Sequence, residues 1–342
     1  MRRAFLAFEV GRQETAEILA PYLKKECDED APEWRDAAAF LAQRPDKTDI
    51  KRRAVIRRRL WQTMTALPRP RILKRRLAQL VATLTARDPA ADMVTRGAWT
   101  NARYDKYWRR VTPEQFVRGG GSEIPCRWEE RRLIVRYAGL KRIYLHHLYR
   151  AIIALSPRSV LEIGCGDGLN IALMANRFPH VAFTGIEITK GGIDQCRRIA
   201  GDALPEPLVD FSPEPLLSRT AHQRARIHQG DAARLPYPDG SFDLVVTVLA
   251  LAQMKHIGDA ALTELARVCN GWVMLIEPFR AWNDTPDRRR YVDAMGYLVP
   301  SVDDLERFGL TPVFTANDFP IKINFGVGVV GARKIAPVLR AS

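Results

Sequence analysis

Apolar residues follow two different patterns along this chain of 342 residues. Before about residue 155 they recur mostly at helical spacing, as Leu73, Leu77, Leu80 and Leu84 do. After Pro157, short apolar runs alternate with helical patterns, which is typical of a parallel, doubly wound α/β sheet. The pattern therefore predicts a mostly helical first part followed by an α/β domain.

The predicted elements divide the chain into three parts. We expect a basic, α-helical N-terminal extension over residues 1–95, with helices at 14–25, 33–42, 49–64 and 72–85. We expect a helical, aromatic-rich linker over residues 96–155, which ends in one helix over 128–155. The α/β domain covers residues 156–335. Its strands are predicted at 160–163, 182–186, 225–228, 244–248 and 272–276, with an edge pair near 311–314 and 326–332 and helices at 171–177, 192–200 and 260–268.

The charge of the chain is concentrated in its first part. Residues 1–150 hold 33 Lys and Arg against 18 Asp and Glu, which accounts for the whole net charge of +14. The segment 51–76 carries eleven of these cations and no acid. Such a segment favours anionic partners, either a nucleic acid or an anionic membrane surface. A solvated helix face is the simpler interpretation.

The cysteines and the apolar runs exclude several classes of protein. Five scattered cysteines with no C-x-x-C pair indicate neither a metal site nor a disulfide framework. No run of eighteen apolar residues predicts a membrane span, and Glu9 and Arg12 interrupt the apolar start where a secretory signal would lie. We therefore expect a cytoplasmic protein, peripheral at the inner membrane surface if the basic segment binds lipid.

A glycine-rich turn follows the first strand of the α/β domain. Its glycines are Gly164, Gly166 and Gly168. Glycines let a backbone approach a ligand closely, and the helix that follows offers unpaired N–H groups. The spacing G-x-G-x-G differs from the G-x-G-x-x-G of dinucleotide-binding enzymes, which disfavours an NAD-dependent dehydrogenase. Taken alone, this motif also fits a tight turn without a ligand.

Two acidic segments follow at the ends of the next strands. Glu187 lies nineteen residues after Gly168, where an acid can accept hydrogen bonds from ribose hydroxyls. Asp231 and Ala232 follow the third strand and can pair with the edge of an adenine. The segment 235–243, LPYPDGSFD, then leads into the fourth strand.

This ordered set resembles class I S-adenosylmethionine-dependent methyltransferases, in particular the group that methylates small molecules, sugars, lipids and quinones. The resemblance covers roughly residues 156–334 and implies a mostly parallel, seven-stranded Rossmann-like sheet with S-adenosylmethionine as cofactor. In that group Glu162 would anchor the glycine loop or reach the methionine amino group, Glu187 would bind the ribose, and Ile188 would pack on the adenine. The cofactor residues implied are Glu162, Gly164, Cys165, Gly166, Gly168, Glu187, Ile188, Asp231, Ala232 and Val248.

Candidate residues for the acceptor side carry weaker signals. His256 lies where similar enzymes read LEHI, so it could be a general base or a packing residue. Glu277 ends the fifth strand and could bind the acceptor or only a backbone N–H. Tyr104 and Trp108 precede the fold, where similar enzymes carry a lid, and could instead pack the helical part onto the sheet.

The resemblance leaves the methyl acceptor open. We expect transfer to an oxygen or nitrogen of a small-molecule, sugar, or glycan- or lipid-linked acceptor, which can be anionic. The alternative is an RNA methyltransferase that binds nucleic acid through the basic helices; a non-catalytic cofactor-binding subunit is a third. The fourth strand ends without an N-P-P-Y or Pro-Cys motif, which argues against methylation of adenine amines or of cytosine C5.

Overall fold

The computed structural model describes residues 10–28 and 89–335. The predicted helices at 33–42, 49–64 and 72–85, and the basic segment 51–76, lie outside these residues. The described α-helices are α1 (Arg12–Leu19), α2 (Pro89–Trp108), α3 (Pro113–Gly119), α4 (Tyr137–Leu155), α5 (Leu169–Arg177), α6 (Lys190–Ala200), α7 (Glu206–Phe211), α8 (Gly258–Val268) and α9 (Pro286–Met295).

Two β-sheets are present in this part of the chain. Their strands are β1 (Leu23–Cys27), β2 (Glu123–Trp128), β3 (Arg131–Arg136), β4 (Ser159–Ile163), β5 (Ala182–Glu187), β6 (Arg226–Gln229), β7 (Phe242–Val248), β8 (Cys269–Glu277), β9 (Leu310–Ala316), β10 (Ile321–Lys322) and β11 (Gly328–Lys334).

The larger sheet has seven strands in the order β6-β5-β4-β7-β8-β11-β9. The first five are parallel, and β11 runs antiparallel to both β8 and β9. This confirms the predicted mostly parallel, seven-stranded Rossmann-like sheet. The strand order reverses at β4, since β5 lies on one side of it and β7 on the other. In open α/β sheets ligands bind at such a switch point, beyond the carboxyl ends of the strands.

The central strands are apolar because helices cover both faces of the sheet. Val160 and Leu161 are successive residues of β4, each fully buried, and they belong to two separate core clusters. The cluster that contains Val160 includes Leu148 of α4, whereas the one that contains Leu161 includes Leu265 of α8. The alternation of these side chains fixes the sheet between two helical layers.

A second, antiparallel sheet corrects two sequence predictions. Its order is β1-β3-β2-β10, so the predicted helix over 128–155 begins only at Tyr137, and residues 131–136 form a strand. Leu133 and Val135 are buried while their neighbours are more exposed, and this period of two is that of a strand. The predicted helix over 14–25 ends at Leu19, and residues 23–27 form β1. That segment pairs with β3, a partner distant in sequence.

No helix among the described residues is long and apolar enough to cross a membrane.

Candidate cofactor and acceptor site

A cavity of about 510 Å³ lies at the carboxyl ends of β4, β5, β6 and β7. Helix α2 contacts both α6 and the turn Lys255–Ile257, so it bridges this edge of the sheet. The cavity is lined by nine of the ten cofactor residues predicted from the sequence: Glu162, Gly164, Cys165, Gly166, Glu187, Ile188, Asp231, Ala232 and Val248. The tenth, Gly168, is the N-cap of α5 behind the loop.

The glycine loop has a backbone that only glycine adopts easily. Gly164, Gly166 and Gly168 have φ angles of 73°, 59° and 80°. A Cβ at Gly166 would lie 2.8 Å from Cζ2 of Trp108, and a Cβ at Gly168 would lie 2.8 Å from the sulfur of Cys196. The absence of side chains therefore lets α2 and α6 pack directly on the loop.

Glu187 ties the glycine loop to the end of β5. Its Oε2 accepts from the backbone N–H of Gly166 at 3.1 Å, and its Oε1 accepts from that of Thr189 at 2.8 Å. Burial raises the pKa of this carboxyl, which is only 7% exposed. Glu187 also lines the cavity, and a carboxylate there can accept from two vicinal hydroxyls such as those of a ribose.

Glu162 leaves one buried oxygen without a partner among the described residues. Its Oε1 accepts from the side-chain amide of Asn170 at 2.7 Å, whereas Oε2 is buried and makes no hydrogen bond. Burial raises the pKa of Glu162 to about 7. A buried acceptor of this kind calls for a donor. The ammonium group of S-adenosylmethionine fits this position.

The third part of the site suits an adenine. Asp231 is exposed and uses Oδ1 to accept from the backbone N–H of Ala233 at 2.9 Å, which leaves Oδ2 for a ligand. Ile188 lines the cavity with 38% of its surface exposed, although it is a large apolar residue. An aromatic base packed on Ile188 would cover that surface. The residues present therefore fit all three parts of S-adenosylmethionine.

His256 lines the cavity, but α2 covers the tip of its ring. A Cβ built on Gly97 of α2 would lie 2.3 Å from Nε2 of His256 and 2.5 Å from its Cδ2. Burial lowers the pKa of His256, so the imidazole is neutral near pH 7. The tip of the His256 ring therefore packs against α2 at Gly97.

Glu277 does not line the cavity, although contact with the acceptor was one interpretation of its position in the sequence. Its carboxylate accepts from three successive backbone N–H groups, those of Ala250 at 2.8 Å, Leu251 at 3.0 Å and Ala252 at 3.1 Å. Burial raises the pKa of Glu277 to about 7. Backbone binding, the other interpretation of its position, is what the structure shows. Glu277 fixes the turn after β7, in which Leu249 holds a strained φ of 56° against the cavity.

Tyr104 and Trp108 both lie on the cavity wall, and the end of α2 is tied to α6. Asp105 accepts from the backbone N–H of Gly191 at 2.6 Å, and the carbonyl of Trp108 accepts from the side chain of Gln195 at 3.0 Å. These contacts hold α2 beside the glycine loop, with Trp108 against Gly166, and the lid role of Tyr104 and Trp108 stays a prediction.

Several wall residues were missed by the sequence analysis: Arg103, Phe116, Tyr137, Lys141 and Gln253. All but Gln253 come from α2, α3 or α4, which precede the sheet and carry no motif of fixed spacing. The aromatic character of residues 99–108 was the available signal for this wall.

Known proteins resemble part of the chain. Residues 161–274 match a family described as a methyltransferase domain. The chain is 32% identical over 155 residues to a fatty-acid O-methyltransferase of Mycolicibacterium smegmatis, covering 43% of this chain and 47% of that protein. It is 28% identical over 143 residues to phthiotriol/phenolphthiotriol dimycocerosates methyltransferase 1 of Mycobacterium ulcerans, covering 42% and 45%. It thus spans about half the length of these curated relatives.

Solved structures also resemble part of the chain. One is magnesium protoporphyrin IX methyltransferase from Synechocystis PCC 6803 with bound SAH, at 13% identity and a TM-score of 0.41, covering 59% of this chain and 89% of that one. The strand order, the ordered motifs and the family match agree with one another. The chain contains a class I S-adenosylmethionine-dependent methyltransferase domain.

Proposed function

We propose that this protein is an S-adenosylmethionine-dependent O-methyltransferase with a lipid-like small-molecule acceptor. One observation carries the proposal: a single cavity joins the three predicted cofactor carboxylates to a wall of aromatic side chains from α2, α3 and α4. Such a wall suits an acceptor with a substantial apolar part. Of the two curated relatives described above, one is a fatty-acid O-methyltransferase and the other a phthiotriol/phenolphthiotriol dimycocerosates methyltransferase.

Bound S-adenosylmethionine supplies the activated methyl group, so the chain mainly binds, orients and excludes water. Glu162 would hold the ammonium group, Glu187 the ribose and Asp231 the adenine. Helix α2 would close over them through Tyr104 and Trp108. A nucleic acid acceptor fits this arrangement less well, because α2 packs on the edge of the sheet at which a polymer would have to enter.

The basic segment 51–76 would bring the domain to the surface on which a lipid acceptor resides. Its eleven cations suit an anionic membrane surface at the cytoplasmic side. In this proposal the three-part division at residues 95 and 155 separates a docking extension, a lid and the methyltransferase domain.

Two measurements test the proposed function. Calorimetry with S-adenosylmethionine and S-adenosylhomocysteine should show one binding site per chain. Glu187→Gln should weaken the binding of both ligands, whereas Glu130→Gln, outside the cavity, should leave it unchanged. Methyl-labelled cofactor should then transfer label to the lipid fraction of a total cell extract rather than to its RNA. Absence of cofactor binding, or label confined to RNA, contradicts the proposal.

A further inference from the structure

The cavity has two chemically different halves. We call the cofactor half the part lined by the carboxyl ends of β4, β5 and β6 and by the loops that follow them. All four acids of the described lining belong to it, namely Glu162, Asp167, Glu187 and Asp231. The acceptor half is the part formed by α2, α3, Tyr137 at the start of α4 and the turn after β7. Its lining contains no Asp, Glu or His among the described residues other than His256 at the junction.

His256 is poorly placed to act as a base in the acceptor half. Its Nε2 points at Gly97 of α2, at a distance where even a methyl group would clash. A general base must lie within hydrogen-bonding reach of the proton that it removes. With the lid helix in this position, an acceptor cannot reach that nitrogen.

The phenols of the acceptor half are also unsuited to remove a proton. Burial raises the pKa of Tyr104 and of Tyr137, so both remain protonated at neutral pH. Glu277, a buried acid outside the lining, already accepts three backbone N–H bonds. An alcohol acceptor would need a base, because a hydroxyl is protonated at neutral pH, and neither these two phenols nor Nε2 of His256 is suited to that role.

A positive charge stands in the acceptor half instead. The guanidinium carbon of Arg103 lies 5.8 Å from the centre of the Tyr104 ring, and its charge acts to lower the pKa of both Tyr104 and Tyr297. Arg103 itself is exposed, which places it at the mouth of the cavity. The other lysine or arginine of the lining, Lys141, acts on the pKa of Glu162 and Asp167 and so belongs to the cofactor half.

We propose that the acceptor is a carboxylic acid with an apolar tail, held as its carboxylate by Arg103 and converted to a methyl ester. This inference rests on the proposed function and names its acceptor class. A lone pair of the carboxylate oxygen forms the new bond to the methyl carbon, while the sulfur–methyl bond breaks and its electron pair stays on sulfur. A carboxylate and a sulfonium become a neutral ester and a neutral thioether. No proton moves, so no base is required.

The apolar wall is suited to the rest of such an acceptor. Phe116, Tyr137 and Met254 line the acceptor half, and Phe116 packs edge-on against Tyr137 with ring centres 6.2 Å apart. Arginine is the side chain best matched to a carboxylate, because its planar fork can donate two parallel hydrogen bonds.

Matched acceptors of one chain length test the proposal. With S-adenosylhomocysteine bound, calorimetry should show binding of oleate and much weaker binding of oleyl alcohol; with labelled cofactor, oleate should be methylated. Arg103→Gln should weaken oleate binding about tenfold or more and leave the affinity for S-adenosylhomocysteine within about twofold. Arg103→Lys should restore part of the loss. Lys106→Gln, an exposed cation of α2 that does not line the cavity, should behave as the wild type.

Each contrary result has a distinct meaning. Methylation of oleyl alcohol at least as fast as oleate, absence of oleate binding to the cofactor-bound protein, or an Arg103→Gln variant with unchanged oleate affinity would overturn the carboxylate proposal alone. So would a parallel loss of cofactor affinity in Arg103→Gln, which would assign Arg103 to the cofactor. Failure of the wild type to bind cofactor would overturn the proposed function itself.

Discussion

The two halves of the cavity are built by different means. In the cofactor half, short segments at the ends of adjacent parallel strands present backbone N–H groups and carboxylates. The backbone N–H of Gly166 and the carboxylate of Glu187 are examples, and they form a hydrogen bond of 3.1 Å. In the acceptor half, side chains such as Arg103 and Phe116 come from helices that precede the sheet. The first kind of site depends on local geometry and the second on how helices pack. Recognition of a common cofactor is therefore separable from recognition of a particular acceptor.

Glu277 fixes the turn after β7, which lies between the two halves. Removing its carboxylate should have the largest effect of the changes considered, and that effect should be on stability. Glu277→Ala leaves three backbone N–H groups buried without an acceptor, so we expect a loss of about 3 kcal/mol in the free energy of unfolding. Urea unfolding measures this. Glu277→Gln keeps one accepting oxygen and should lose less. A variant that loses activity at unchanged stability would instead give Glu277 a direct part in the reaction.

A single added methyl group should weaken cofactor binding more in the cofactor half than in the acceptor half. Gly166→Ala forces a side chain into a left-handed conformation against Trp108, which costs about 1–3 kcal/mol. We expect the affinity for S-adenosylhomocysteine to fall about thirtyfold, measured by calorimetry. Gly119→Ala is the matched control, because an added Cβ there meets no atom within 4 Å. Equal affinities for the two variants would contradict a closely packed loop.

Sequence patterns predict the cofactor half because its residues are close in the chain to the strands that carry them. The sheet could be predicted in this way, and nine of the ten cofactor residues assigned from the sequence line the cavity. Arg103 could not, since nothing in the spacing of residues 96–155 shows which face of α2 meets the cavity. Strand β3 was predicted as helix because its arginines and apolar residues also fit a helical period, and only pairing with β1 and β2 decides between them.

The two halves should also respond differently to pH. Glu162, with its pKa near 7, faces Asn170, the cation of Lys141, and the acids Asp167 and Glu187. The ammonium group of the cofactor would favour ionised Glu162, so affinity should be full above pH 7 and decline as pH falls through it. We expect about a tenfold loss between pH 7.5 and pH 6.

Calorimetry in buffers of different ionisation enthalpy checks this, because protons should be released on binding below pH 7. Glu162→Gln should bind more weakly and lose most of the dependence on pH. If the pH profile of Glu162→Gln is unchanged, a group other than Glu162 is responsible for the pH dependence of cofactor affinity.

Removing the hydrogen bond between α2 and α6 should have the smallest effect on cofactor affinity. Asp105→Ala removes the acceptor for the N–H of Gly191 at the start of α6. We expect the affinity for S-adenosylhomocysteine to fall several-fold, since a side chain that satisfies such an N–H contributes about 1 kcal/mol. Fluorescence titration measures it, with Lys106→Gln as the control on the same helix. A loss of stability without a change in affinity would reduce Asp105 to a packing role.

A crystal structure with S-adenosylhomocysteine tests the central claim most directly. We expect both ribose hydroxyls within hydrogen-bonding distance of the Glu187 carboxylate, the amino group on the unpaired oxygen of Glu162, and the adenine against Ile188 beside Asp231. Ligand density elsewhere in the protein, or a ribose that leaves Glu187 without contact, would contradict it.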